Sequence, residues 1–172
     1  TLSVSEIIQK SSNVGTVKIA DGLTAKAMWQ NLIDVGFGQK PDIIFPGAAT
    51  GRLRGYDTSR ASEKATLSYG YGLSTSLFQL ARAYSVFARD GDMIPTTILK
   101  RSEVTSGTQV FSAQTASQMR AMLMLATGDE GTAPRAQTLG YSVAGKTGTA
   151  RKIEGKGYSN KKYRGFFVGF AP

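Results

Sequence analysis

The segment Gly140-Tyr141-Ser142-Val143-Ala144-Gly145-Lys146-Thr147-Gly148-Thr149-Ala150 constrains the fold more than any other stretch of the chain. Spelled G-x-x-x-x-G-K-T, it matches the phosphate-cradling loop that joins a buried strand to a helix. The context opposes that reading. The residues upstream, Pro134-Arg135-Ala136-Gln137-Thr138, are too polar for a buried strand. Downstream, Gly148, Gly155 and Gly157 would each weaken a helix by about 1 kcal/mol relative to alanine. An apolar strand ending in Asp to hold magnesium is also missing, because Leu32-Ile33-Asp34 lies inside a helical pattern. The other reading places Lys146-Thr147-Gly148-Thr149 on a strand flanked by small residues, where a second backbone could approach the edge closely. There the lysine supplies positive charge and the threonines supply hydroxyls, which suits a peptide ending in a carboxylate. A glycine-rich bend at a sheet corner, with a solvated lysine, is the plain alternative.

Two absences narrow the chemistry. Among 172 residues there is no histidine and no cysteine, which removes a Ser-His-Asp relay, a thiol nucleophile, disulfides and thiolate metal sites. Proton transfer must then use Lys, Tyr, Asp, Glu or a hydroxyl, and no metal or cofactor is expected. Lys and Arg number 21 against 12 Asp and Glu, a net charge of +9. Much of that excess is local: Arg151, Lys152, Lys156, Lys161, Lys162 and Arg164 face a single acid, Glu154, within one segment. With Tyr158 and Tyr163 interleaved, an anionic-polymer surface is conceivable. The simpler expectation is a solvated loop between two strands, with no nucleic-acid partner. No stretch approaches the roughly 20 apolar residues that span a bilayer.

Helix signals dominate the pattern. Ser3 and Ser5 precede Ile7 and Ile8, and Thr24 precedes Met28, Trp29, Leu32 and Ile33, closed by Gly36. The spacing of Leu77, Leu80, Ala81, Tyr84, Phe87 and Ala88 predicts a helix over 74–89, stopped by Asp90-Gly91. A further helix over 113–126 is capped by Ser112, with Met119, Met122, Leu123 and Ala126 on one side. Strands are predicted at 98–104, 108–111, 142–150 and 163–170, and 37–61 reads as an irregular loop. Thr1 is not an initiator and the chain closes on the apolar run Phe166–Ala171 before Pro172, so a fragment of a larger fold is expected.

Ser11-Ser12-Asn13 is the second candidate. On its own S-x-N says little, since either serine could simply cap a helix continuing through Val17 and Ile19. Together with the Lys-Thr-Gly strand, it supplies two of the three elements of penicillin-binding proteins and serine β-lactamases. Lys10–Thr16, Leu67-Ser68-Tyr69-Gly70-Tyr71-Gly72-Leu73, Leu80–Tyr84 and Ala144–Lys152 closely resemble the transpeptidase domain of class B penicillin-binding proteins, in order along nearly the whole chain. The motifs are most similar to the division-type enzymes of Gram-negative bacteria.

This resemblance implies an α+β fold, with helices packed on an antiparallel sheet, of which residues 1–172 would be the C-terminal portion. It implies a peptidoglycan D,D-transpeptidase that cross-links stem peptides ending in D-Ala-D-Ala at the septum through a serine acyl-enzyme, and that β-lactams inhibit covalently. The setting would be the periplasmic face of a protein anchored in the inner membrane, working with the septal machinery and a membrane glycosyltransferase. Ser11 would join the proton relay, Asn13 would bind the substrate amide or an upstream lysine, and Lys146 would set the field and hold Ser11. Thr147, Gly148 and Thr149 would form the substrate-binding strand, the two threonines binding the carboxylate and the Thr149 N–H forming half of an oxyanion hole. Tyr69, Tyr71 and Arg151 would line the outer pocket. The nucleophile of this family lies in a Ser-x-x-Lys motif upstream of Ser-x-Asn. The one such match here, Ser159-Asn160-Lys161-Lys162, falls on the wrong side of Lys146 and reads as chance, so the chain alone is expected to be inactive. A β-lactamase or β-lactam sensor of the same fold, a nucleotide-binding loop at Lys146, and a non-catalytic module binding anionic polymer through 151–164 are the alternatives.

Overall fold

A computed structural model describes residues 1–171 except Ile44, Ser59, Val104 and Lys156. Helix α1 (Val4–Gln9) starts with a reciprocal capping box between Ser3 and Glu6, and α2 (Asn13–Asp21) is capped by the Ser12 hydroxyl, which accepts the Gly15 N–H. The S-x-N segment is thus a helix junction, and its capping serine is Ser12, not Ser11. Helix α3 (Ala25–Asp34) is capped by Thr24 and ends ahead of Gly36, whose φ of +90° lets the chain turn away. Helix α4 (Ala61–Ser68) escaped the pattern reading because it is polar and has no buried residue on which a periodicity could show.

Helix α5 (Leu77–Ala88) begins later than predicted, at a Ser76–Gln79 capping box, and its buried face is rotated from the expected stripe. Gln79, Ala83 and Val86 are buried, whereas Leu77 is 78% exposed. The reason is Gln79. Its amide nitrogen donates to the carbonyls of Gln39 and Thr50, both at 2.9 Å, and more weakly to Gly36, tying the irregular 37–52 segment to the helix. Val86 and Ala83 join Val35, Phe37 and Met93 in the core, with Leu32, Leu80, Val110 and Phe111 packed around them. Helix α6 (Ala113–Thr127) follows its predicted cap and stop, and buries Ala116, Leu123 and Ala126. Arg120 on α6 reaches back to the Phe87 and Arg89 carbonyls, at 2.9 and 2.7 Å, and so satisfies the exposed end of α5.

Two antiparallel pairs make the described sheet structure: β1 (Asp92–Met93) with β2 (Thr108–Gln109), and β3 (Ala144–Glu154) with β4 (Gly157–Phe170). The strand expected at 98–104 is absent over 98–103, where Ile98 and Leu99 stand 63% and 72% exposed; Val104 lies outside the described residues. The basic segment 151–164 is also not the loop its charge suggested. It continues both strands of a long hairpin, Ala150 facing Arg164 and Glu154 facing Gly157. Its extra residues are absorbed at a register shift between Arg151 and Ile153, where the buried Ser159 hydroxyl accepts the N–H groups of Lys161 and Lys162. Cations spaced along a two-stranded ribbon keep their charges in water, so a basic run and a strand are compatible. Helix α6 packs on β3 and α1 packs on α6, which relates the S-x-N junction to the Lys-Thr-Gly strand.

Candidate active site

Ser11 sits where α1 ends. The Ser12 N–H bonds the Ile7 carbonyl at 3.0 Å and the Ser11 N–H bonds the Ile8 carbonyl, a Schellman closure that puts its penultimate residue in the left-handed region. Glycine usually occupies that position. Here it is Ser11, at φ +55°, the one non-glycine residue with positive φ among the described residues. The reversal leaves Ser11 exposed and makes Asn13, also exposed, the first residue of α2.

Lys146 lies near the start of β3, half-buried. Burial without a compensating charge holds its ammonium below the ordinary lysine range. Among the described residues no carboxylate lies within ion-pair distance of it. Its Nζ donates instead to the Thr147 carbonyl at 3.3 Å and to Thr132 Oγ1 at 3.4 Å. Thr132 Oγ1 is also 2.8 Å from Thr147 Oγ1, so one hydroxyl joins the two strand residues. Among the described residues no hydrogen bond joins Lys146 to Ser11 or Asn13. Thr149 is exposed one step further along, opposite Gly165.

The small residues of β3 have a use that the sequence did not disclose. Gly148 faces Phe166 across the hairpin, and a Cβ there would run into the Phe166 ring; Gly145 is covered in the same way by Phe167. The glycines therefore make room for rings of the partner strand, while the β3 edge away from β4 is unpaired among the described residues.

Tyr71 closes the other end. Its hydroxyl accepts the Arg151 N–H at 3.0 Å, and its ring meets Tyr69 and Tyr158 edge-on at centroid distances of 5.8 and 5.4 Å. Arg151 is exposed beside this cluster. The structure thus gathers Lys146 and Thr147 around Thr132, and Tyr69, Tyr158 and the backbone of Arg151 around Tyr71.

The model of the penicillin binding protein transpeptidase domain matches residues 1–172. The chain belongs to this transpeptidase family. It is 42% identical over 172 residues to a probable peptidoglycan D,D-transpeptidase, PenA, of Neisseria flavescens, covering all of this chain and 43% of that protein. Among solved structures, the transpeptidase domain of Burkholderia pseudomallei penicillin-binding protein 3 superposes with a TM-score of 0.94 at 51% identity, covering 99% of this chain and 52% of that one. Penicillin-binding protein 3 of Mycobacterium tuberculosis, solved with ampicillin, superposes with a TM-score of 0.88 at 34% identity, covering 98% of this chain and 41% of that one. The chain thus spans about half the length of these relatives, and its α+β architecture is the penicillin-binding transpeptidase fold.

Within that fold, the sequence pointed to neither of two residues, Thr132 and Tyr158, as part of this site. Thr132 follows a polar turn, and Tyr158 stood among cations. Only the tertiary approach of the 128–133 loop to β3, and of the hairpin to Tyr71, reveals them. The ring–glycine fit is testable directly. Gly145→Ala in the protein carrying this chain is expected to lose about 1–3 kcal/mol in urea unfolding, because a Cβ there meets the Val168 carbonyl as well as the Phe167 ring, and backbone cannot swing aside. An unchanged midpoint would mean that β4 does not pack on Gly145 as closely as the structure places it.

Proposed function

We propose that this chain is the C-terminal portion of a peptidoglycan D,D-transpeptidase domain, acting on stem peptides at the periplasmic face of an inner-membrane-anchored protein. The observation that carries this reading is Lys146: a half-buried cation without an acidic partner among the described residues, beside threonine hydroxyls, on an unpaired strand edge. Such an edge can add an extended peptide as a further strand, and an ammonium with no carboxylate partner among the described residues suits an incoming carboxylate.

In the proposed reaction a serine of an upstream Ser-x-x-Lys motif attacks the carbonyl between the two terminal D-alanines. The C–N bond breaks, D-Ala leaves with a proton delivered through Ser11, and the acyl group passes from the serine to an amine of a second strand. Asn13 holds the substrate amide, Thr147 and Thr149 receive the terminal carboxylate along Gly148, and the Thr149 N–H supports the oxyanion. Tyr69, Tyr71 and Arg151 bound the outer pocket. A β-lactam, shaped like the terminal dipeptide, stops at the acyl-enzyme. The similarity of the motifs to division-type enzymes supports septal cross-linking alongside a membrane glycosyltransferase.

Ser11 offers the sharpest test at this level. A left-handed residue with a Cβ costs about 1–2 kcal/mol, so glycine would suit position 11 better by conformation alone. Ser11→Gly is therefore expected to leave stability unchanged or raise it by up to about 1 kcal/mol while slowing D-Ala release and penicillin acylation by at least roughly a hundredfold. Full activity in that variant would show that the serine is retained for another reason.

A further inference from the structure

The loop between α6 and β3 is folded so that one hydroxyl meets the strand. The Gly131 N–H bonds the Gly128 carbonyl at 2.9 Å and the Ala133 N–H bonds the Ala126 carbonyl at 3.0 Å. A side chain on Gly131 would collide with the Ala126 carbonyl, so the chain doubles back tightly against the end of α6. The next residue, Thr132, is exposed, and its Oγ1 lies between Lys146 Nζ and Thr147 Oγ1, at 3.4 and 2.8 Å.

Proton counting orders these contacts. A lysine ammonium only donates, and a hydroxyl carries one proton and two lone pairs. Thr132 Oγ1 therefore accepts from Lys146, and its single proton is free for Thr147 Oγ1. The proton of Thr147 is then left for an acceptor outside the chain. In the reverse orientation, which the 2.8 Å contact also permits, Thr132 accepts from both neighbours and Thr147 turns its lone pairs toward an incoming anion.

We infer that Thr132 is a positioning residue: it links the Lys146 ammonium to the Thr147 hydroxyl and fixes that hydroxyl as a donor to the carboxylate of the bound ligand. This rests on the roles of Lys146 and Thr147 proposed above. The chain Lys146 Nζ–H, Thr132 Oγ1–H, Thr147 Oγ1–H points one way, so an anionic acceptor strengthens every bond in it. A neutral ligand gains little from it. Thr132 thus adds selectivity for a ligand carrying a free carboxylate, beyond the general field of the lysine.

The test compares acylation rates of the transpeptidase carrying this chain with benzylpenicillin and with its methyl ester, which lacks the charge. Thr132→Val keeps the shape and removes the hydroxyl. It is expected to slow benzylpenicillin roughly 10- to 100-fold, the worth of a charge-assisted hydrogen bond, and the ester by about threefold or less. Thr132→Ser should restore most of the benzylpenicillin rate, and Thr132→Ala, the second hydroxyl-free variant, should reproduce the split between the two ligands. Equal slowing of both ligands, or no slowing, would overturn the positioning role. Lys146→Ala in the same assay separates the two levels: if it left benzylpenicillin acylation intact, the site assignment itself would fail, whatever Thr132 does.

Discussion

Replacing Lys146 by alanine is expected to lower the rate of penicillin acylation by at least roughly a hundred- to a thousandfold, with the fold intact. The size of the loss follows from the environment. The ammonium is half-buried, and Thr132 Oγ1 and the Thr147 carbonyl are its hydrogen-bond acceptors, so its charge is poorly spent inside the chain and fully available to a ligand. Alanine removes that charge from a site of reduced dielectric, where a single cation acts on the reacting groups far more strongly than it would in water. Stability should hold or improve. A lysine whose folded pKa is depressed binds protons more readily when unfolded, so its charge works against the folded state below the depressed pKa. Stopped-flow acylation together with thermal melting checks both halves. An unchanged acylation rate would remove Lys146 from the site.

Gln79→Ala should be the most damaging substitution for the fold, costing about 2–4 kcal/mol. Gln79 is 3% exposed, and its amide serves both sides of a junction. Its oxygen accepts the Ser76 N–H at 3.0 Å and completes the cap of α5, while its nitrogen holds the Gln39 and Thr50 carbonyls. Alanine would strip those carbonyls of their donor and loosen the segment that a bridge between Arg52 and Ser74 also anchors. Denaturant unfolding reads the loss, and Gln79→Glu should be no better, since a carboxylate accepts at the cap but cannot donate to the carbonyls. A midpoint equal to wild type in both variants would mean that water replaces the amide without penalty.

How much of this could be read from the residues depended on the range of the interaction that decided each element. Helices α3 and α6 were legible because Thr24 and Ser112 cap within one turn and Gly36 and Gly128 stop them. The face of α5 was misread because the buried residue is a glutamine, whose partners lie about 30 to 40 positions away in sequence. The hairpin tip was misread because its charges resembled a loop and its bulge depends on Ser159. In the candidate site, Ser11, Asn13 and the Lys-Thr-Gly strand stood out through their combination. The left-handed turn at Ser11 and the hydroxyl of Thr132 did not, since one is a backbone angle and the other a tertiary contact.

The most direct measurement is peptide mapping by mass spectrometry of the protein carrying this chain after incubation with a penicillin. One adduct is expected, on a serine that precedes Ser11 in a Ser-x-x-Lys motif. Ser159 is expected to stay unmodified, because it is 6% exposed and its oxygen is held by the N–H groups of Lys161 and Lys162. An adduct on Ser159, or a protein that stays unlabelled, would contradict the proposed transpeptidase site.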